Sequence, residues 1–190
     1  LGLNYLDILN TFRLPDHPWL QGEDVALHFH NLHGGWFNYL ALPKILAGRL
    51  GIWTLHDMWP FTGHCVYSYE CSRWEPGCGR CPHPESYPAI ALDNTRLEHW
   101  LKRCAFGASR LVIATPSAWL ADLTRRSFLG SFPVHHIPNG IDTDIYIPGN
   151  KSALREKLGL PPDKTILLFD CGHYADLWRK GGDMLPDILN

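Results

Sequence analysis

Short apolar runs punctuate this chain at residues 25–30, 52–55, 111–114, 134–137 and 165–169, and each is followed by polar residues or turn formers. Runs of this length without alternation suit strands buried on both faces, as in a parallel sheet. Between them, apolar residues recur at helical spacing. Phe37, Leu40, Ala41, Ile45 and Leu46 predict a helix over 36–50, while Leu97, Trp100, Leu101 and Cys104 mark the inward face of another, capped by Asp93 or Asn94. Pro116-Ser117 opens a helix carrying Trp119, Leu120, Leu123 and Phe128, and shorter helices are expected at 153–158 and 184–189. A brief helical pattern also lies within residues 3–12.

Strands alternating with helices predict right-handed βαβ units, hence an α/β fold with a doubly wound, mainly parallel sheet covered on both faces. Residues 59–88, rich in Pro, Gly and Cys, read as a long ordered loop. The passage from Pro138 to Asn150 reads as a domain boundary. Residues 1–146 would then form most of one Rossmann-like domain, and 147–190 only the first βα unit of a second.

Composition narrows the class. The 190 residues are 45% hydrophobic and 19% charged with a net charge of −2, which fits a globular core. No cluster of Lys or Arg supplies the basic face that nucleic acid requires, so no nucleic-acid partner is expected. No apolar stretch approaches the roughly 18–20 residues that span a bilayer, and no charged-then-apolar signal segment opens the chain. Beginning at Leu1 and stopping soon after a helix start, the chain reads as a fragment. A reducing, cytoplasmic location is the expectation, which weakens a disulfide reading of the cysteines.

Candidate chemistry gathers at the ends of the first two strands. His56 and Asp57 follow the run 52–55, and polar groups at the carboxyl end of a buried strand line the crevice where open α/β sheets work. His28 and His30 share one strand face and His33 lies in the following turn, but no carboxylate is interleaved, so lining a cleft or packing fits better than zinc. Gly34-Gly35 is a weak anion-cradle signal. Cys65, Cys71, Cys78 and Cys81 form a denser pattern. Cys78-Gly79-Arg80-Cys81 is a C-x-x-C knuckle, and the four together could hold a structural zinc ion that staples the loop, with His64 or His83 as substitute ligands. Two disulfides or free thiols are the alternatives; Pro82, directly after the knuckle, argues against a redox motif, which should sit at a helix start. Cys104 and Cys171 read as buried small residues.

Several blocks together resemble one family. They are His28-Phe29-His30-Asn31-Leu32-His33-Gly34-Gly35, the stretch from Trp53 through His56-Asp57 to Cys65, Thr115-Pro116-Ser117-Ala118-Trp119-Leu120, Ile137-Pro138-Asn139-Gly140-Ile141-Asp142-Thr143, and Arg179-Lys180-Gly181-Gly182. In this order they resemble the retaining glycosyltransferases of family four, of the glycosyltransferase group 1 type with a GT-B fold. The cysteine loop resembles a subgroup linked to exopolysaccharide or cell-surface glycan assembly.

That resemblance implies a nucleotide-sugar donor on the second domain, a glycan or lipid-linked acceptor on the first, and no catalytic metal. It places His56 and Asp57 at the reacting centre and Gly172, Arg179 and Lys180 around the donor diphosphate. His30, His33, Gly34, Gly35, Asn139 and Asp142 fall on the acceptor side or in the cleft. It also implies a site at the inner face of the membrane, with peripheral membrane association of the parent. The family's first strand with its glycine-rich loop and its downstream pair of glutamates are absent here, so the fragment alone is expected to be inactive. Read without the family, Arg179 and Lys180 are solvated loop cations, His56 is a structural histidine and Asp142 stabilises a turn. A zinc-stabilised, non-enzymatic α/β binding module and a GT-B nucleotide-sugar epimerase remain the alternative functions.

Overall fold

The computed structural model describes residues 10–22, 25–170 and 181–189. The chain divides into two compact units, Leu1–Gly140 and Ile141–Asn190.

The first unit is built on a four-stranded sheet, β1 (Leu27–Phe29), β2 (Gly51–Thr54), β3 (Leu111–Thr115) and β4 (Val134–His136), in the order β1-β2-β3-β4. Every pair is parallel, with Phe29 opposite Trp53 and Trp53 opposite Ile113. The mainly parallel α/β class is therefore as expected from the pattern.

The two sheet faces differ. Trp53, Leu111 and Ile113 belong to the buried core, joined from outside the sheet by Tyr39, Leu42, Ile45, Trp59, Phe61 and Phe106. The neighbouring register, His28, Ile52 and Val112, stays partly or fully exposed. Residues 25–30 are thus not buried on both faces. The physical reason is the strand order: successive right-handed crossovers that all advance in one direction stack their helices on the same side.

The crossover elements are shorter than their patterns suggest. In place of a helix over 36–50 there is a single 3₁₀ turn, Tyr39–Ala41, and one α turn, α1 (Leu42–Ile45). Asn38 caps the start through its side chain, Pro43 removes a donor, and Gly48 at φ 76° ends the run. The segment 10–16 is a 3₁₀ helix, and residues 1–9 lie outside the described residues.

α2 (Thr95–Gly107) buries a different face from the one its leucines suggest. Thr95, Glu98, His99, Lys102, Ala105 and Phe106 point inward, while Leu97 and Trp100 are exposed, as is Cys104, which is not the buried small residue expected. Its cap is Asp93, whose Oδ1 accepts from the backbone N and Oγ1 of Thr95, rather than the side chain of Asn94. α3 (Ala118–Arg126) starts at Ser117, whose Oγ accepts from Leu120 N at 3.2 Å.

In the second unit, Asn150 caps α4 (Lys151–Lys157), and α5 (Leu185–Leu189) follows a 3₁₀ turn that begins after Gly181 in the left-handed region. The strand expected at 165–169 is not formed, and Leu168 is 87% exposed. A strand exists only by pairing its backbone with a neighbour, and no other strand is present among the described residues of this unit.

Candidate functional site

The carboxyl ends of β1 and β2 bring four histidines and one carboxylate together. His28 Nε2 lies 2.8 Å from Thr54 Oγ1, tying the two strands on their exposed face. His30 Nδ1 and His56 Nε2 are 2.9 Å apart, with rings stacked at a centroid distance of 5.2 Å. A bond between two imidazole nitrogens carries one proton, donated by one ring and accepted by the other. Desolvation, followed by the adjoining His28 and His56, pushes the His30 pKa below its ordinary value. His33 Nε2 meets Asp57 Oδ2 at 2.9 Å, and Asp57 Oδ1 accepts from Trp59 N at 2.9 Å. One carboxylate thus orients a histidine and fixes the turn that follows. Gly34 and Gly35, at φ 98° and 82°, give the β1 loop a backbone that side-chain-bearing residues rarely adopt.

A buried cation supports this turn from beneath. Lys102 is fully buried, donates to Trp59 O at 2.8 Å and Thr62 O at 3.0 Å, and lies 3.6 Å from the centroid of the Trp59 ring. Burial lowers its pKa to about 8, against the opposing pull first of Glu98 and then of Cys78, Cys65 and Asp57. Glu98, one helical turn earlier, accepts from the Tyr39 hydroxyl at 2.9 Å; its pKa is raised by burial. Glu98 Oε1 has no hydrogen-bond partner among the described residues. Sequence reasoning missed Lys102, Glu98 and Tyr39. The available signal was the i, i+4 spacing of Glu98 and Lys102, which reads equally well as a solvent-exposed pair.

The cysteine loop is ordered, and its four thiols influence one another electrostatically. Gly63 N donates to Cys78 Sγ at 3.2 Å, and His64 Nε2 lies 3.2 Å from Cys81 Sγ. A Cβ on Gly63 would sit 2.5 Å from Thr95 Cβ, so the loop reaches α2 only because this residue has none. Burial pushes the Cys65 thiol up to about 11 and Cys78 up to about 12.

The expected zinc site at Cys65, Cys71, Cys78 and Cys81 is not supported. Among the described residues no group of three or more His, Cys, Asp or Glu side chains is arranged to hold a metal ion. All four cysteines are free, so the disulfide alternative is not realised either.

Buried neutral histidines set an acid limit on stability. His64 and His99 are almost fully buried; His64 lies 2.9 Å from Pro88 O and His99 Nε2 lies 3.0 Å from Trp74 O. Desolvation lowers both pKa values from the ordinary 6.5. The unfolded chain therefore takes up protons first, and stability is lost as pH falls below 6.5 toward the folded values. The thermal midpoint measured across this window should fall with acidification, and the slope should flatten in His99→Gln.

The remaining expected site residues lie at the end of the first unit, in the second unit or outside the described residues. Asn139 is exposed at the end of the first unit. Asp142, in the second unit, accepts from Asp144 N at 2.9 Å and Ile145 N at 3.3 Å, as a turn-stabilising aspartate does. Gly172, Arg179, Lys180 and Cys171 lie outside the described residues. No helix among the described residues is long and apolar enough to cross a membrane.

The profile of Glycosyltransferase Family 4 matches residues 17–145. The colanic acid biosynthesis glycosyl transferase WcaC of Escherichia coli K12 is 33% identical over 128 residues, covering 62% of this chain and 31% of that protein. A D-inositol 3-phosphate glycosyltransferase of Xylanimonas cellulosilytica is 27% identical over 165 residues, covering 82% of this chain and 36% of the relative. The chain thus spans about a third of the length of these two relatives. No solved structure gives a significant match.

Proposed function

The chain belongs to Glycosyltransferase Family 4, and from that premise we propose that it supplies the acceptor side of an enzyme that moves a sugar, with retention, from a nucleotide-diphosphate donor to a glycan or lipid-linked acceptor. The observation that carries this reading is the cluster His30, His56, His33 and Asp57 on the carboxyl edge of a parallel sheet, where α/β folds present their chemistry. The likeness to a colanic acid biosynthesis transferase favours a role in exopolysaccharide or cell-surface glycan assembly.

In this reaction the bond between the anomeric carbon and the diphosphate oxygen breaks, and its electron pair leaves with the phosphate. The acceptor oxygen bonds to the same face of that carbon, and its proton passes to the departing phosphate oxygen. The chain's own groups position the reactants. His56, held at Nε2 by His30, offers its other ring nitrogen to a sugar hydroxyl, and the His33–Asp57 pair supplies polar partners beside it. Arg179 and Lys180 stabilise the negative charge that grows on the leaving diphosphate, a term that usually dominates such catalysis.

Hydrolysis and transfer of labelled nucleotide sugars by the whole protein test the proposal. Turnover should appear, and the double substitution Arg179→Ala/Lys180→Ala should weaken donor affinity severely. An epimerase would instead return an isomerised donor, and a binding module would leave the donor intact; either result overturns the transferase reading.

A further inference from the structure

Two exposed aromatic rings in the segments that follow β2 and β3 have no role in the chemistry above. Tyr67 is 38% exposed and Trp119 is 51% exposed, with ring centroids 6.0 Å apart and planes tilted by 35°. Tyr69 braces Tyr67 edge-on at 4.9 Å, and His83 in turn packs against Tyr69 at 5.3 Å. The platform is anchored at both ends. Trp119 sits in the first turn of α3, directly after the carboxyl end of β3. Tyr67 follows Val66, whose carbonyl accepts from Met58 N at 2.9 Å and whose N–H donates to Tyr87 O at 3.1 Å. Met58 is the residue after Asp57, so the backbone that carries Tyr67 is tied to the turn that carries His56 and Asp57.

We propose that Tyr67 and Trp119 form a stacking subsite for a neutral hexopyranose ring of the acceptor. A pyranose presents a patch of axial C–H bonds on one face and hydroxyls around its rim. The electron-rich face of an aromatic ring attracts those weakly positive hydrogens, and two shallowly tilted rings match the patch better than one. A nucleotide would also stack, but its phosphate needs cations, and an anionic membrane surface needs a ring of Lys or Arg. Glu85, 3.6 Å from the His83 that packs on Tyr69, puts a carboxylate on that side instead. This inference rests on the acceptor-side reading above and names the substrate class that side would take.

The test titrates the 190-residue chain, labelled at its tryptophan indoles, with neutral gluco-, manno- and galacto-configured hexasaccharides, with adenosine monophosphate, and with phosphatidylglycerol vesicles. At least one hexasaccharide should shift the Trp119 indole resonance. Trp119→Ala and Tyr67→Ala should each weaken its binding about tenfold, while Trp119→Phe should keep most of the affinity at an unchanged thermal midpoint. The subsite is overturned if no hexasaccharide moves that resonance, if both alanine variants bind as the parent does, or if only the nucleotide or the vesicles perturb it. Donor hydrolysis by the whole protein separates this inference from the transferase reading. It needs no acceptor, so it should survive Trp119→Ala; its absence would remove the transferase while leaving saccharide binding intact.

Discussion

Lys102→Met is expected to cost the first unit about 3–5 kcal/mol, the range for stranding one member of a buried charged network. Methionine fills the same volume but donates nothing, so the carbonyls of Trp59 and Thr62 lose the donor they now share. It also leaves Glu98, buried and with one oxygen already lacking a hydrogen bond, without its balancing cation. Urea denaturation of wild type and variant reads the loss directly. The double variant Lys102→Met/Glu98→Gln should recover part of it, since the stranded charge is then removed. A loss below about 1 kcal/mol, the size of a surface pair, would show that Lys102 is not the support of the 57–62 turn.

His56→Ala in the whole protein should lower kcat/KM for sugar transfer about 10²–10³-fold, the effect of removing one well-placed hydrogen-bond partner at a reacting centre. Little stability should be lost, because His56 is exposed and no backbone group depends on its side chain in the described structure. His30→Ala should act in the same direction but less strongly. It leaves His56 in place and removes only the ring that fixes which of its nitrogens carries the proton. Steady-state rates beside thermal midpoints separate the two effects. Rates within about threefold of wild type for His56→Ala would exclude it from the reacting centre.

These expectations rest unequally on sequence and structure. The place of His56-Asp57 at a strand end was legible because its signal is local: a short apolar strand ending in polar groups, within a βαβ pattern. His30 and His33 were legible as candidates, but not as the partners of His56 and Asp57. Those pairings span 26 and 24 residues and depend on the parallel register of β1 against β2. The aromatic pair Tyr67–Trp119 shows the same limit, since its members are brought together by two separate strand-end loops.

The cysteine loop and α2 misled for a related reason. C-x-x-C spacing shows that two thiols are near each other, whereas ligation depends on where four sulfurs point, and the described loop shows no such convergence. On α2, the leucine and tryptophan stripe looked like the buried face. The true inward face includes His99 and Lys102, because the loop it covers presents carbonyls and a carbonyl needs a donor more than it needs a methyl group. Hydrophobic periodicity cannot register that demand, which is created by backbone groups some forty residues away in sequence.

By itself, then, the amino-acid order determined the α/β class, the parallel sheet and the polar strand ends, since each follows from interactions within a few neighbouring residues. Tertiary structure alone decided the shared proton between His30 and His56, the buried lysine beneath the turn, the exposed second face of the sheet and the unpaired state of residues 165–169. Each of these depends on a partner distant in the chain, present in the first two cases and not found among the described residues in the last two. Burial, pairing and hydrogen-bond satisfaction are properties of such partners, so they come into being only when the chain folds.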